Sequence, residues 1–189
     1  MQIMPMTWSQ DGQFLVFWLN DPKTNSDIWL LPLKGEKKPQ PFLQSAFSES
    51  HGQISPDGKW IAYRSNESGQ EEIYVRPFPS GPGRWQVSTN GGTYWRWRPD
   101  GKEIFYLTSS AEGKLMAVEV NTTGSRFEYG TAKELFDSQY VNFNHGLNYH
   151  PYAVSRDGQR FLMPRPVESS DTSSTSVTVV LNWPSLLKK

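Results

Sequence analysis

The chain has 189 residues, 36% hydrophobic and 14% aromatic, enough apolar material for one sizeable packed domain. Nineteen basic and nineteen acidic residues give a formal net charge of zero, so no broad positive field exists to hold nucleic acid. There is no cysteine, which excludes disulfides and thiolate chemistry.

Fifteen glycines and fourteen prolines, without a sustained helical period, predict an all-β protein. Residues 1–6 lack the basic region and long apolar core of a signal peptide, so an export signal would have to lie outside this chain. No stretch approaches the ~18 apolar residues of a membrane helix, and no membrane insertion is expected of this segment.

In chain order, a first strand ends at Trp8 and meets the turn Ser9-Gln10-Asp11-Gly12. An apolar strand follows through Leu15, Val16 and Phe17, then a polar loop at Asn20-Asp21-Pro22, then a strand Asp27-Ile28-Trp29-Leu30-Leu31-Pro32. A weaker outer strand is predicted at Pro41-Phe42-Leu43. The second unit repeats the plan. It has the turn Ser55-Pro56-Asp57-Gly58, the run Ile61, Ala62, Tyr63, the strand Glu72-Ile73-Tyr74-Val75-Arg76-Pro77 and a weak strand near residues 84–88. The third has Arg98-Pro99-Asp100-Gly101, Ile104, Phe105, Tyr106 and Lys114-Leu115-Met116-Ala117-Val118. Residues 131–136 read as a short helix-like stretch inside a long insertion, residues 121–149. The fourth has Ser155-Arg156-Asp157-Gly158, Phe161, Leu162, Met163 and a last strand over 177–183, with no residues left for an outer strand.

Asp57 follows Asp11 by 46 residues, Asp100 follows Asp57 by 43, and Asp157 follows Asp100 by 57. A period of about 40–45 residues is that of a four-stranded propeller blade. The three apolar residues after each turn do not alternate with polar ones. Such strands are buried on both faces, as between two blades. Asp in these turns can bond nearby backbone N–H groups, and Gly accepts the positive φ that closes the hairpin. Because one copy occurs in every unit, Asp11, Gly12, Asp57, Gly58, Asp100, Gly101, Asp157 and Gly158 are read as structural turns. The units run over about 3–48, 49–92, 93–148 and 149–189, one propeller-type region over 1–189.

On Ser55-Pro56-Asp57-Gly58-Lys59-Trp60-Ile61-Ala62-Tyr63 and Arg98-Pro99-Asp100-Gly101-Lys102-Glu103-Ile104-Phe105-Tyr106, the units resemble the TolB-like, WD40-like repeat also called PD40. The resemblance implies a partial β-propeller of about four four-stranded blades, the last incomplete. It fixes no function, because propellers host many. The end of the chain, Val177-Thr178-Val179-Val180-Leu181-Asn182-Trp183, resembles the C-terminal propeller region of bacterial serine/threonine protein kinases. That resemblance implies an extracytoplasmic propeller joined to a kinase through a membrane segment. These residues contain no Gly-rich phosphate loop and no kinase catalytic or metal-binding motif, so the segment itself is expected to be non-enzymatic.

No Gly-x-Ser-x-Gly, HExxH or EF-hand pattern is present, so no catalytic, cofactor or metal site is expected. First strands of blades line a propeller's central channel. His51 and His150 lie near the start of such strands and are candidate ligand contacts, with packing or solvation as the competing reading. In Thr93-Tyr94-Trp95-Arg96-Trp97-Arg98, period-two alternation puts Trp95 and Trp97 on one face and Tyr94, Arg96 and Arg98 on the other. The tryptophans are read as blade packing, and Tyr94 and Arg96 as ligand-facing.

The expected function is a non-catalytic binding or sensor module for a protein, peptide or small molecule, within a receptor-type kinase. A gating propeller of a prolyl-oligopeptidase-like hydrolase and a structural oligomerisation scaffold are the alternatives. A partial ring exposes apolar blade faces, so a second copy completes the ring as a dimer or a longer chain supplies the remaining blades; a four-bladed single-chain ring is the third reading, disfavoured by the incomplete last blade.

Overall fold

The structure is a computed structural model that describes residues 2–23, 25–109, 113–123, 126–138 and 151–164, and the backbone of 177–180. The described residues hold strands and no helix. The first sheet is an antiparallel meander of β1 (Gln2–Trp8), β2 (Phe14–Asp21), β3 (Asn25–Pro32) and β4 (Gln40–Leu43). The second repeats it with β5 (Glu49–Ile54), β6 (Trp60–Ser65), β7 (Glu72–Pro77) and β8 (Trp85–Gln86). The third has β9 (Thr93–Trp97), β10 (Glu103–Leu107), β11 (Lys114–Asn121), β12 (Glu128–Tyr129) and β13 (Lys133–Asp137). The last sheet has three described strands, β14 (Ala153–Val154), β15 (Phe161–Pro164) and β16 (Val177–Val180).

The helix-like stretch is corrected by the third sheet. Residues 133–137 form β13, pairing Leu115 with Phe136 and Ala117 with Lys133 along the outer edge of β11. Strand β12 pairs further along the same edge, Val120 with Tyr129. The two are one outer strand broken at residues 130–132. Ala132, Lys133, Glu134 and Leu135 favour helix in isolation. Burial of Leu135 between the third and fourth sheets, together with the open N–H and C=O groups of β11, overrides that preference.

The four turns share one hydrogen-bond pattern. Gly12, Gly58, Gly101 and Gly158 donate to the carbonyl three residues back at 2.9, 2.9, 2.8 and 2.9 Å, with φ of 65°, 73°, 74° and 70°. The Asp carboxylate accepts the N–H two residues on, from Gln13, Lys59, Lys102 and Gln159, at 2.9, 3.2, 3.1 and 3.0 Å. Ser55 Oγ donates to Asp57 at 2.6 Å and accepts Trp60 N–H at 3.0 Å, and Ser9 and Ser155 repeat both contacts. Arg98 occupies the serine's place in the third turn. Its guanidinium bonds Glu103 at 2.7 Å and the Asp157 carbonyl of the fourth turn at 3.0 Å.

The core is made of three inter-sheet layers, and strand alternation assigns each side chain to one of them. Four and six residues past the turn Asp, the side chains face the preceding blade. Ile61 and Tyr63 enter the layer between blades 1 and 2, Ile104 and Tyr106 that between 2 and 3, and Phe161 and Met163 that between 3 and 4. Five residues past, they face the next blade: Val16, Ala62 and Phe105 in the same three layers. The residue three before the Asp also faces back, as Ile54, Trp97 and Val154 do. Trp97 Nε1 donates to the Gln53 carbonyl of the preceding blade at 3.1 Å.

The same positions in the terminal blades have no described blade to meet. Trp8, the counterpart of Trp97, is 62% exposed, and Leu162, the counterpart of Ala62 and Phe105, is 45% exposed. Ile3 is 56% exposed on the same outer face of blade 1, where it pairs with Leu19. Phe17 lies on that face too, stacked on Trp29 with ring centroids 6.4 Å apart.

Candidate functional site

The innermost strand of each of the first three blades carries an irregularity five or six residues before the turn Asp, at Met6, at His51 and Gly52, and at Tyr94 and Trp95. Register shifts occur between Pro5 and Thr7, between Ser50 and Gln53, and opposite β9 between Phe105 and Leu107. A bulge adds a residue to one strand and re-aims its side chain. Within these irregularities His51 has φ 56° and Tyr94 φ 50°. Non-glycine residues in the left-handed region are uncommon and cluster at functional sites.

His51 is half-buried. Its Nδ1 lies 2.9 Å from Ser50 Oγ, and its ring meets Trp95 of the next blade edge-on at 6.3 Å. The histidine also lines a cavity of about 120 Å³ with Met4, Pro5, Met6, Trp18, Gly52 and Gln53. Gly52 is required by close approach. A Cβ there would lie 2.9 Å from Ile61 Cδ1 and 3.5 Å from Met6 Cε. Trp18 Nε1 is buried without a hydrogen-bond acceptor among the described residues. Neither Trp18 nor the two methionines stands out in the sequence. Met4 and Trp18 are cross-strand partners on β1 and β2, and Met6 sits at the bulge of β1; their meeting with His51 leaves no compositional mark.

The alternation read from Thr93 to Arg98 is present. Trp95 and Trp97 are 1% and 8% exposed in the layer between blades 2 and 3. Tyr94 packs on the other side, against the layer between blades 3 and 4. Arg96 is half-buried and pairs in register with Phe105, whose ring enters that layer. Burial lowers the Arg96 pKa from its ordinary value, and Tyr152 opposes that shift. Tyr152 is buried, and burial pushes its phenol upward, so it stays neutral; its hydroxyl donates to the Phe105 carbonyl at 3.0 Å. His150 lies outside the described residues.

His51 thus lies at the seam of blades 1, 2 and 3, while Tyr94 and Arg96 face the seam of blades 3 and 4. The described residues hold no group of three or more His, Cys, Asp or Glu able to hold a metal. An open groove of about 850 Å³ follows the outer rim, where Gln86, Val87 and Asn90 face Tyr129 and the break at Gly130, Thr131 and Ala132. No described helix is long and apolar enough to cross a membrane.

In fold, the chain is a TolB-like, WD40-like β-propeller. It superimposes on TolB from Acinetobacter baumannii with a TM-score of 0.66 at 18% identity, covering 94% of this chain and 40% of that one. It superimposes on an oligogalacturonate lyase in complex with manganese with a TM-score of 0.67 at 18% identity, covering 96% of this chain and 48% of that one. Tricorn protease homolog 1 from Streptomyces coelicolor is 32% identical over 73 residues, 39% of this chain and 6% of that protein. The chain therefore spans less than half the length of each of these relatives. No family model matches it.

Proposed function

We propose that this chain is a non-catalytic recognition module that binds a peptide, protein or small molecule on the inner, channel-side ends of its blades. The carrying observation is the left-handed backbone of His51 and Tyr94, which hold the same position at the register irregularities of two inner strands. Blade 1 is built without a left-handed residue there, because Pro5 at the same position has no positive φ. The left-handed backbone costs of order 1–3 kcal/mol per residue, which is understandable where the side chain is being aimed.

A thermal-shift screen of peptides and metabolites, followed by affinity measurement on His51→Ala and Tyr94→Ala, tests this reading. At least one ligand should lose about tenfold or more in affinity in one of these variants. Ligands that bind with wild-type affinity to both variants would remove the inner face as the site.

The resemblance of residues 177–183 to kinase-linked propellers favours a receptor-type serine/threonine kinase as the larger protein, with this module outside the cytoplasm. The stretch of 32% identity to a tricorn protease homolog favours the second reading, a propeller that gates a peptidase. The full open reading frame separates them: a kinase domain supports the first, a hydrolase domain the second. Under either reading, further blades cover the outer faces of Trp8 and Leu162. A second copy or the rest of a longer chain would supply them.

A further inference from the structure

Arg96 differs in its surroundings from the arginines near it. Arg98 pairs with Glu103 at 2.7 Å and Asp100 at 3.4 Å, Arg64 with Glu71 at 3.0 Å, and Arg84 with Glu67 at 2.7 Å. Arg76 lies over the Phe42 ring at 4.9 Å. Arg96 is half-buried on an inner strand, and no hydrogen bond or ion pair joins its side chain to a described residue. Among the described residues its charged neighbourhood contains only Tyr152, which is neutral and already donates its hydroxyl proton to Phe105. A guanidinium half withdrawn from water with no described counter-charge is poorly compensated, and none of its nitrogens is fully buried, so its N–H donors are open to a ligand in a planar fork.

We infer that Arg96 anchors an oxyanion, a carboxylate or a phosphate, at the inner end of the seam between blades 3 and 4, with the Tyr94 ring beside it. A bidentate carboxylate or phosphate supplies the missing charge and takes two parallel N–H bonds. Zero net charge over the whole chain means that no long-range field gathers anions there. The contact therefore selects by local geometry. This inference rests on the inner-face reading and gives it a ligand chemistry.

The test is a titration of the 189-residue chain with acetate, with inorganic phosphate, and with one hexapeptide bearing either a free or an amidated C-terminus. The arginine Nε–Hε resonances are followed by NMR, with Arg96 assigned from Arg96→Lys. Arg96 should shift saturably with at least one anion, while exposed Arg126 should not. Arg96→Lys should weaken binding about tenfold and Arg96→Gln should abolish it. Tighter binding of the free-carboxyl peptide than of its amide identifies a peptide terminus as the source. Tighter binding of phosphate than acetate identifies a phosphoryl group.

An Arg96 resonance that stays fixed, or drifts linearly like that of Arg126, overturns the inference. So does a ligand that depends on Tyr94 or His51 but binds Arg96→Gln unchanged, and that result leaves the inner-face reading standing. Conversely, oxyanion binding lost only in Arg96→Gln, with no dependence on His51 or Tyr94, upholds the inference and narrows the inner face to one residue. Unchanged thermal midpoints of the Arg96 variants ensure that lost binding is not lost folding.

Discussion

At the scale of single residues, the four glycines of the turns have the same φ and different surroundings. A Cβ on Gly12 would meet nothing within 4 Å, whereas one on Gly158 would sit 2.6 Å from Arg98 Nε. Gly12→Ala should therefore cost only the left-handed backbone, roughly 1–2 kcal/mol. Gly158→Ala should cost about 1 kcal/mol more, because it displaces the guanidinium that ties turn three to turn four. Urea denaturation of both variants measures the gap, and it should close when Arg98→Ala is added. Two kinds of carboxylate give opposite acid responses. Glu49 is 3% exposed; burial raises its pKa, against the hydroxyl of Ser45 that donates to it. A raised folded pKa favours the protonated native state, so its contribution is present below the ordinary glutamate range and lost as pH rises through the folded value. Glu49→Gln should then be more stable than wild type at pH 7, with the difference closing in acid. Asp11 and Asp157 are held low, first by the hydroxyls of Ser9 and Ser155. Their contribution is present above the ordinary aspartate range and is lost as pH falls through the folded value. A pH series of urea midpoints should show both slopes.

At the scale of elements, Trp8 and Trp97 are one repeat position in two environments. Trp97→Ala should cost about 3–5 kcal/mol, through lost packing and the lost bond to Gln53. Trp8→Ala in the isolated chain should stay within about 0.5 kcal/mol, because its ring is largely in water. Equal losses in chemical denaturation would contradict the described packing. The strands were largely legible in the sequence, because Ile61, Ala62 and Tyr63, or Ile104, Phe105 and Tyr106, leave no polar face to turn outward. The outer strand of blade 3 was not. Residues 131–136 carry helix formers, and burial of Leu135 with the open edge of β11 decides against them. The candidate site was legible in part. Alternation separates Arg96 from Trp95, but nothing local announces that His51 and Tyr94 are left-handed. A bulge is set by how two strands must cross the next blade, and residue identity does not record it.

At the scale of the molecule, the open outer faces of blades 1 and 4 make a physical claim about assembly. If a second copy completes the ring, sedimentation equilibrium should give a dimer that Trp8→Asp converts to monomer without changing the urea midpoint of the subunit. A wild-type chain that is monomeric at every concentration would exclude self-completion and leave a longer chain as the source of blades. The alternation of the strands after each turn has one more consequence. Every boundary between neighbouring units uses residues at plus four and plus six from one unit and at plus five from the unit before it. Each unit is thus a plug on one side and a socket on the other, and no unit is self-sufficient. Such a chain can lengthen by duplicating one whole period, since the copy brings both halves of a joint that already works, whereas a cut within a period leaves two halves that match nothing.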